Sequence, residues 1–215
     1  MHMNWNPNLH LRISGILLGS LLLSAANLHA TDIGYDAAGR VVSSIQPDGQ
    51  TTTFGYDANG NIELIASITP AEDSDADGLP DYFEIRFTGT KTVLAPTDDT
   101  DQDGMDHLFE FAFAKDPSIS DATEITPISL EVPNPQTGDQ FFTLKYLRPQ
   151  SGTQHLKYIT EISFDLKQQW LSNPPEVLET TVTPQDDGTE EVTVRFLPTV
   201  STTNKLFMRI SVQKL

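Results

Sequence analysis

Between Asp73 and Glu110 the chain carries eleven carboxylates against only Arg86 and Lys91, a local net charge of −9 in 38 residues. Such a run is ordinarily a solvated linker, because like charges at this density repel. The spacing of the acids points elsewhere. Asp73, Asp75 and Asp77 alternate, Gly78 follows, and Glu84 closes a twelve-residue loop. Calcium takes six to eight hard oxygens, and a loop of this length offers them from positions 1, 3, 5, 7, 9 and 12, with glycine at 6 where the backbone turns. Those positions are Asp73, Asp75, Asp77, the Leu79 carbonyl, Asp81 through a water, and Glu84, which is long enough to reach back from a following helix. A second loop repeats the pattern with Asp99, Asp101, Asp103, the Met105 carbonyl and Glu110 around Gly104. Its ninth position is His107, a poor partner for a hard cation, so weaker binding is expected there.

The flanks decide what kind of loop this is. Pro70 precedes the first loop and Pro96 the second, so neither is expected to have an entering helix. Pro80 also lacks the amide through which paired sensor loops bridge one another. What remains is a loop with an exiting helix, expected over 81–87 before Gly89 and over 106–114 before Asp116-Pro117. Phe83/Phe87 and Phe109/Phe113 fall four apart on those helices and read as local core.

The N-terminus reads as an address. An apolar run from Ile13 to Ala26 follows His10 and Arg12 and ends in small residues, with cleavage expected after Ala26 or Ala30. Its fourteen residues are short for a membrane span, which needs about 20. Without residues 1–30 the chain keeps 12 basic and 30 acidic residues, a balance that disfavours nucleic acid and anionic membranes as partners. No cysteine is present, which excludes disulfides, thiol catalysis and zinc–thiolate sites. Metal ions are then the available means of stabilising an exported, self-repelling chain.

Four segments follow: the signal (1–30), a hairpin segment (31–68), the calcium loops (69–118) and a C-terminal β domain (119–215). In the second, Tyr35-Asp36-Ala37-Ala38-Gly39-Arg40-Val41 returns as Tyr56-Asp57-Ala58-Asn59-Gly60-Asn61-Ile62, with Pro47-Asp48-Gly49 as a turn between extended stretches. This resembles the YD repeat of the RHS family, whose repeats build long spiralling β-sheets that can enclose a passenger. The resemblance covers about one and a half repeats, whereas about three are needed before stacking buries a core. It therefore implies a segment that packs on the rest of the chain. In residues 119–215, alternation at Phe142-Leu144-Tyr146, Tyr158–Phe164, Val192–Phe196 and Leu206–Val212, with a hairpin turn at Asp187-Gly188, predicts an antiparallel sandwich of six or seven strands. The expected class is mainly β: an N-terminal β-hairpin repeat segment, a small loop-helix calcium module and a C-terminal antiparallel β-sandwich.

Residues 77–84 and 103–117 also resemble the thrombospondin type 3-like calcium repeats of bacterial exported proteins, in which Asn usually stands where His107 does. That resemblance implies calcium-stabilised modules outside the cytoplasm, secreted, periplasmic or at the cell surface. Enzyme chemistry finds little purchase. Beyond residue 30 the only histidines are His107 and His155, and the chain has no Gly-x-Ser-x-Gly elbow, His-Glu-x-x-His or phosphate-binding glycine loop. The expectation is a structural, non-catalytic protein in which Ca2+ orders an acidic spacer between β segments. The alternative is a carbohydrate- or protein-binding module, facing surface polysaccharide or another exported protein. It would use Trp170, Tyr146, Tyr158 and Phe164 as a platform. Exposure of Trp170 distinguishes the two.

Overall fold

The computed structural model describes residues 31–121, 128–134, 138–167, 169–203 and 205–215; the signal-like segment lies outside them. Strands β1 (Asp32–Tyr35), β2 (Val41–Ile45), β3 (Thr51–Tyr56) and β4 (Ile62–Ile68) form an antiparallel meander in sequence order. The repeated Tyr-Asp motif explains its turns. Asp36 Oδ1 accepts from the backbone N–H of Ala38 and Arg40, both at 2.9 Å, and Asp57 Oδ1 accepts from those of Asn59 and Asn61 at 2.9 and 2.8 Å. A side chain that bonds its own backbone two residues on fixes a tight turn, and Gly39 and Gly60 then supply the positive φ. The tyrosine serves the neighbouring repeat. Arg40 lies 4.4 Å over the Tyr56 ring, and the Tyr56 hydroxyl donates to the Val41 carbonyl at 2.7 Å.

No helix enters either acidic loop among the described residues. Helix α1 (Asp81–Thr88) begins directly after Pro80, whose fixed φ suits a helix entrance, and ends at Gly89 in the left-handed region. Helix α2 (His107–Ala112) is capped by Asp106, whose side chain accepts from Phe109 N at 2.9 Å. It is shorter than the expected 106–114, because Phe113 leaves the helical angles and Ala114 turns to a φ of 54°. That turn sets Phe113 edge-on against Tyr146 and Tyr158, at 5.7 and 6.3 Å.

The C-terminal part has seven strands: β5 (Ile128–Asn134), β6 (Asp139–Pro149), β7 (Leu156–Ser163), β8 (Leu171–Ser172), β9 (Leu178–Pro184), β10 (Thr189–Phe196) and β11 (Phe207–Lys214). They form antiparallel sheets ordered β5-β6-β10-β9 and β11-β7-β8, so the mainly-β reading holds. Alternation puts Leu144, Tyr146, Val192, Val194 and Phe196 of one sheet, and Ile162 and Met208 of the other, inside. Tyr146 and Tyr158 stack across the two sheets at 5.8 Å. The hairpin at Asp187-Gly188 brings Glu190 opposite Pro184.

One cluster of buried side chains draws on all three segments, from Ile45 and Ile68 through Tyr82, Phe83 and Phe111 to Tyr146, Ile162 and Phe196. Phe111 is fully buried, edge-on to Phe83 at 5.2 Å and Tyr82 at 6.2 Å, and stacked on His155 at 6.2 Å. Phe111→Ala is therefore expected to cost about 3–5 kcal/mol in urea unfolding, with one transition retained. A loss under about 1 kcal/mol would show that the segments fold separately.

Candidate metal centres

The two acidic loops fold alike, position by position. In each, the first aspartate draws the chain into a ring, with Gly78 N donating to Asp73 Oδ2 at 3.0 Å and Gly104 N to Asp99 Oδ2 at 2.9 Å. The fifth residue holds the next amide, Leu79 N to Asp77 Oδ1 at 2.8 Å and Met105 N to Asp103 Oδ1 at 2.9 Å. Ala76 and Gln102, both fourth, have φ of 59° and 63°, and Gly78 and Gly104 have φ of 102° and 94°. Carboxylate oxygens of Asp73, Asp75 and Asp77 lie within 4.8 Å of one another, and so do those of Asp99, Asp101 and Asp103.

Glu84 and Glu110, the twelfth residues, are fully buried on α1 and α2. Glu84 Oε1 accepts from Leu94 N at 3.1 Å, but its Oε2 is buried without a hydrogen-bond partner, as is Glu110 Oε2. Asp73 Oδ1 and Asp101 Oδ2 are buried and unpartnered too. Burial first, and then the charges of Asp75 and Asp77, push the Glu84 carboxyl up to about 7. Glu110 is pushed up to about 8 by burial and by Asp101, Asp103, Asp99 and Asp116. Asp77 and Asp101 are raised for the same two reasons. Orphaned buried oxygens around a triplet of acids suit a hard divalent cation, which would supply the missing positive charge and the missing partners at once. Asp73, Asp75, Asp77 and Glu84, with the Leu79 carbonyl, could hold one ion. Asp99, Asp101, Asp103 and Glu110, with the Met105 carbonyl, could hold a second.

Position nine behaves differently from the expectation. Asp81 is fully buried and its oxygens are engaged away from the triplet. Oδ1 accepts from Ser74 N and Oδ2 from Ser74 Oγ, both at 2.7 Å, and Oδ2 also pairs with Lys91 Nζ at 3.1 Å. Burial pushes this carboxyl up, but the Ser74 hydrogen bonds and Lys91 outweigh it, and its pKa is lowered. His107 makes the equivalent latch. Its Nε2 lies 2.7 Å from Thr100 Oγ1 and its Nδ1 lies 2.7 Å from the Ala95 carbonyl. Since a carbonyl only accepts, Nδ1 carries a proton, and in the neutral ring Nε2 accepts from the Thr100 hydroxyl. Ser74 and Thr100 are both second residues, so positions two and nine close each loop. The imidazole thus stands in for a latch, and the ground for expecting a weaker second site falls away.

Sequence reading missed two residues from far along the chain. Lys214 Nζ donates to the Ala76 carbonyl at 3.0 Å, and His155 Nε2 to the Gly78 carbonyl at 2.6 Å. No local signal marks either one, because they act through backbone carbonyls across 138 and 77 residues.

The proposed aromatic platform is dispersed. Tyr146 is buried, and burial pushes its hydroxyl up to about 12. Tyr158 is partly buried against the core, its hydroxyl also raised by burial. Trp170 is half-buried, with Arg209 4.3 Å over its ring, and Phe164 alone is exposed.

Residues 35–73 match the RHS repeat family model, which supports the partial YD repeat and suggests an extracellular or surface protein. No curated protein and no solved structure matches the chain. Among the described residues no helix is long and apolar enough to cross a membrane.

The raised glutamates give a pH dependence with a definite sign. In the metal-free fold Glu84 and Glu110 keep protons that the unfolded chain, with carboxyls near 4.5, has released. The unfolded state then binds fewer protons, so stability falls as pH rises from about 5 to about 8. Melting in chelator should show that decline, and saturating calcium should remove it; a metal-free melting temperature that rises over this window would contradict the assignment.

Proposed function

We propose that this is an exported or surface-associated, non-catalytic protein in which two calcium ions hold the acidic centre of the fold together, between the RHS-like sheet and the C-terminal strands. The reading is carried by one observation. Glu84 and Glu110 are each fully buried with a free Oε2 beside an aspartate triplet, an arrangement that costs several kcal/mol per ion unless a cation completes it. The loop-plus-exiting-helix form, with no entering helix, supports the thrombospondin type 3-like kinship over a sensor that opens and closes. Calcium here acts as a fastener. Binding to the folded state alone stabilises it by mass action, about 2.7 kcal/mol at a hundredfold excess over Kd for one site.

Two further observations favour a structural role over catalysis. His107 and His155 are both committed to hydrogen bonds within the loops, and His155 is also stacked on Phe111. The binding-module alternative is less favoured, because Tyr146 lies in the core and Arg209 covers Trp170.

Calorimetric titration of the purified protein with calcium tests this. Two ions per chain are expected, with a clear rise in melting temperature. Glu84→Gln should remove one of them and Glu110→Gln the other, each weakening its own site by at least about tenfold, which is 1.4 kcal/mol. No binding at millimolar calcium would sink the proposal.

A further inference from the structure

Strand β4 is an edge of the N-terminal sheet, hydrogen-bonded to β3 on one side only. Its middle is uncovered on both faces. Ile62, Leu64 and Ile65 are 52%, 58% and 63% exposed, and they point alternately to opposite sides. Leu64 also lacks a lateral neighbour, since the residue opposite it on β3 is Gly55. Edge strands are usually blunted by lysine, proline, a bulge or shortness. Across its seven residues β4 has no lysine and no proline, and its one charge is Glu63. Its single register irregularity lies at the Ile62 end, where Tyr56 pairs.

We propose that the open edge of β4 pairs antiparallel with β4 of a second copy of this chain, making a two-fold dimer with a continuous eight-stranded sheet. The proposal stands apart from the calcium reading. A two-fold axis perpendicular to the sheet requires one residue to face its own copy, because only then do partners lie on the same face. Centring on Ile65 sets Leu64 opposite Ala66, Ile62 opposite Ile68 and Glu63 opposite Ser67. Each strand's only charge then meets a small hydroxyl. The two Glu63 carboxylates stand four residues apart along the strand, about 13 Å at ~3.4 Å per residue, beyond the ~10 Å screening length of 0.1 M salt. Centring on Leu64 would halve that separation and bury Glu63 against Ile65. The Ile65 register also lays Ile62, Leu64, Ala66 and Ile68 of both copies on one face. That face is continuous with the core of each, since Ile68 is only 1% exposed.

With a single charge on each strand, set apart from its copy, β4 lets two such acidic chains meet with little charge repulsion at the contact. The contact is narrow beside the ~800 Å² per partner of an ordinary stable interface, so the dimer is a weak one that forms at high concentration.

Sedimentation velocity on the purified protein in calcium, from micromolar to millimolar, should show a mass rising from monomer toward dimer. Ile65→Lys, on an exposed side chain, should keep the melting temperature and raise the dimer dissociation constant at least about tenfold. Since the chain has no cysteine, I65C reads the register directly. Residues facing each other across antiparallel strands have Cα atoms about 4.5–5.5 Å apart, within the ~4.4–6.8 Å that a disulfide spans. Under a mild oxidant I65C should cross-link much faster than V93C, which places a thiol at a 67% exposed position off this strand. A monomer at every concentration, a dimer that survives Ile65→Lys, or equal cross-linking of I65C and V93C would each overturn the pairing.

Discussion

Glu84 and Glu110 stand on the first turns of two short helices whose other residues, Tyr82, Phe83, Ile85, Phe111 and Ala112, form the middle of the hydrophobic core. A carboxylate in that position is opposed by desolvation and by the charges of neighbouring aspartates, and the helix N-terminus offsets only a small part of this. Each helix can therefore seat its aromatic face only if its glutamate is either protonated or matched by a cation. The packing of β6 and β7 onto α2, through Phe113, Tyr146 and Tyr158, inherits that condition. So does the contact of the RHS-like sheet with α1, where Asp32 of β1 pairs with Arg86 at 2.9 Å. The acidic segment, which as a sequence resembles a spacer, is the part on which the RHS-like sheet and the two C-terminal sheets rest.

One local device is used throughout. An aspartate side chain that accepts from amides two to five residues ahead shapes the turns at Asp36 and Asp57, and the same device shapes both acidic loops through Asp73, Asp77, Asp99 and Asp103. In the hairpins the bonded aspartate is sufficient, and the turn is complete as it stands. In the loops three aspartates converge, with carboxylate oxygens within 4.8 Å of one another. The difference between a turn and a candidate metal centre here is how many such acids are placed in sequence.

Those local patterns are why much of the fold is legible from the chain alone. In each loop the aspartates at positions one, three and five come together, the glycine at six takes a positive φ, and the glutamate at twelve is buried on the helix that follows. Helix α1 ends at Gly89 as expected, and the Asp187-Gly188 hairpin forms with Val192, Val194 and Phe196 turned inward. Non-local features are not legible in this way. Asp81 reads as a ligand by position, yet Lys91 and Ser74 claim it, and nothing in the loop pattern encodes a lysine ten residues on. His107 reads as a defect until Thr100 is seen to meet it. The aromatics of the C-terminal strands alternate as a sandwich interior does while leaving a surface platform open as the alternative, and the facing sheet and α2 are what hold Tyr146 inside.

The contact between Lys214 and Ala76 also has a consequence in time. A chain made from its N-terminus presents the first acidic loop early, while the ammonium that lies over it is 138 residues downstream. Until that strand arrives, the loop holds its charges in the open, with neither the Lys214 strap nor the His155 bond to steady its carbonyls. Contacts of such long sequence separation form slowly, after shorter ones. Closure of the first loop is therefore a late event, one that reports on the completion of nearly everything between Gly78 and β11.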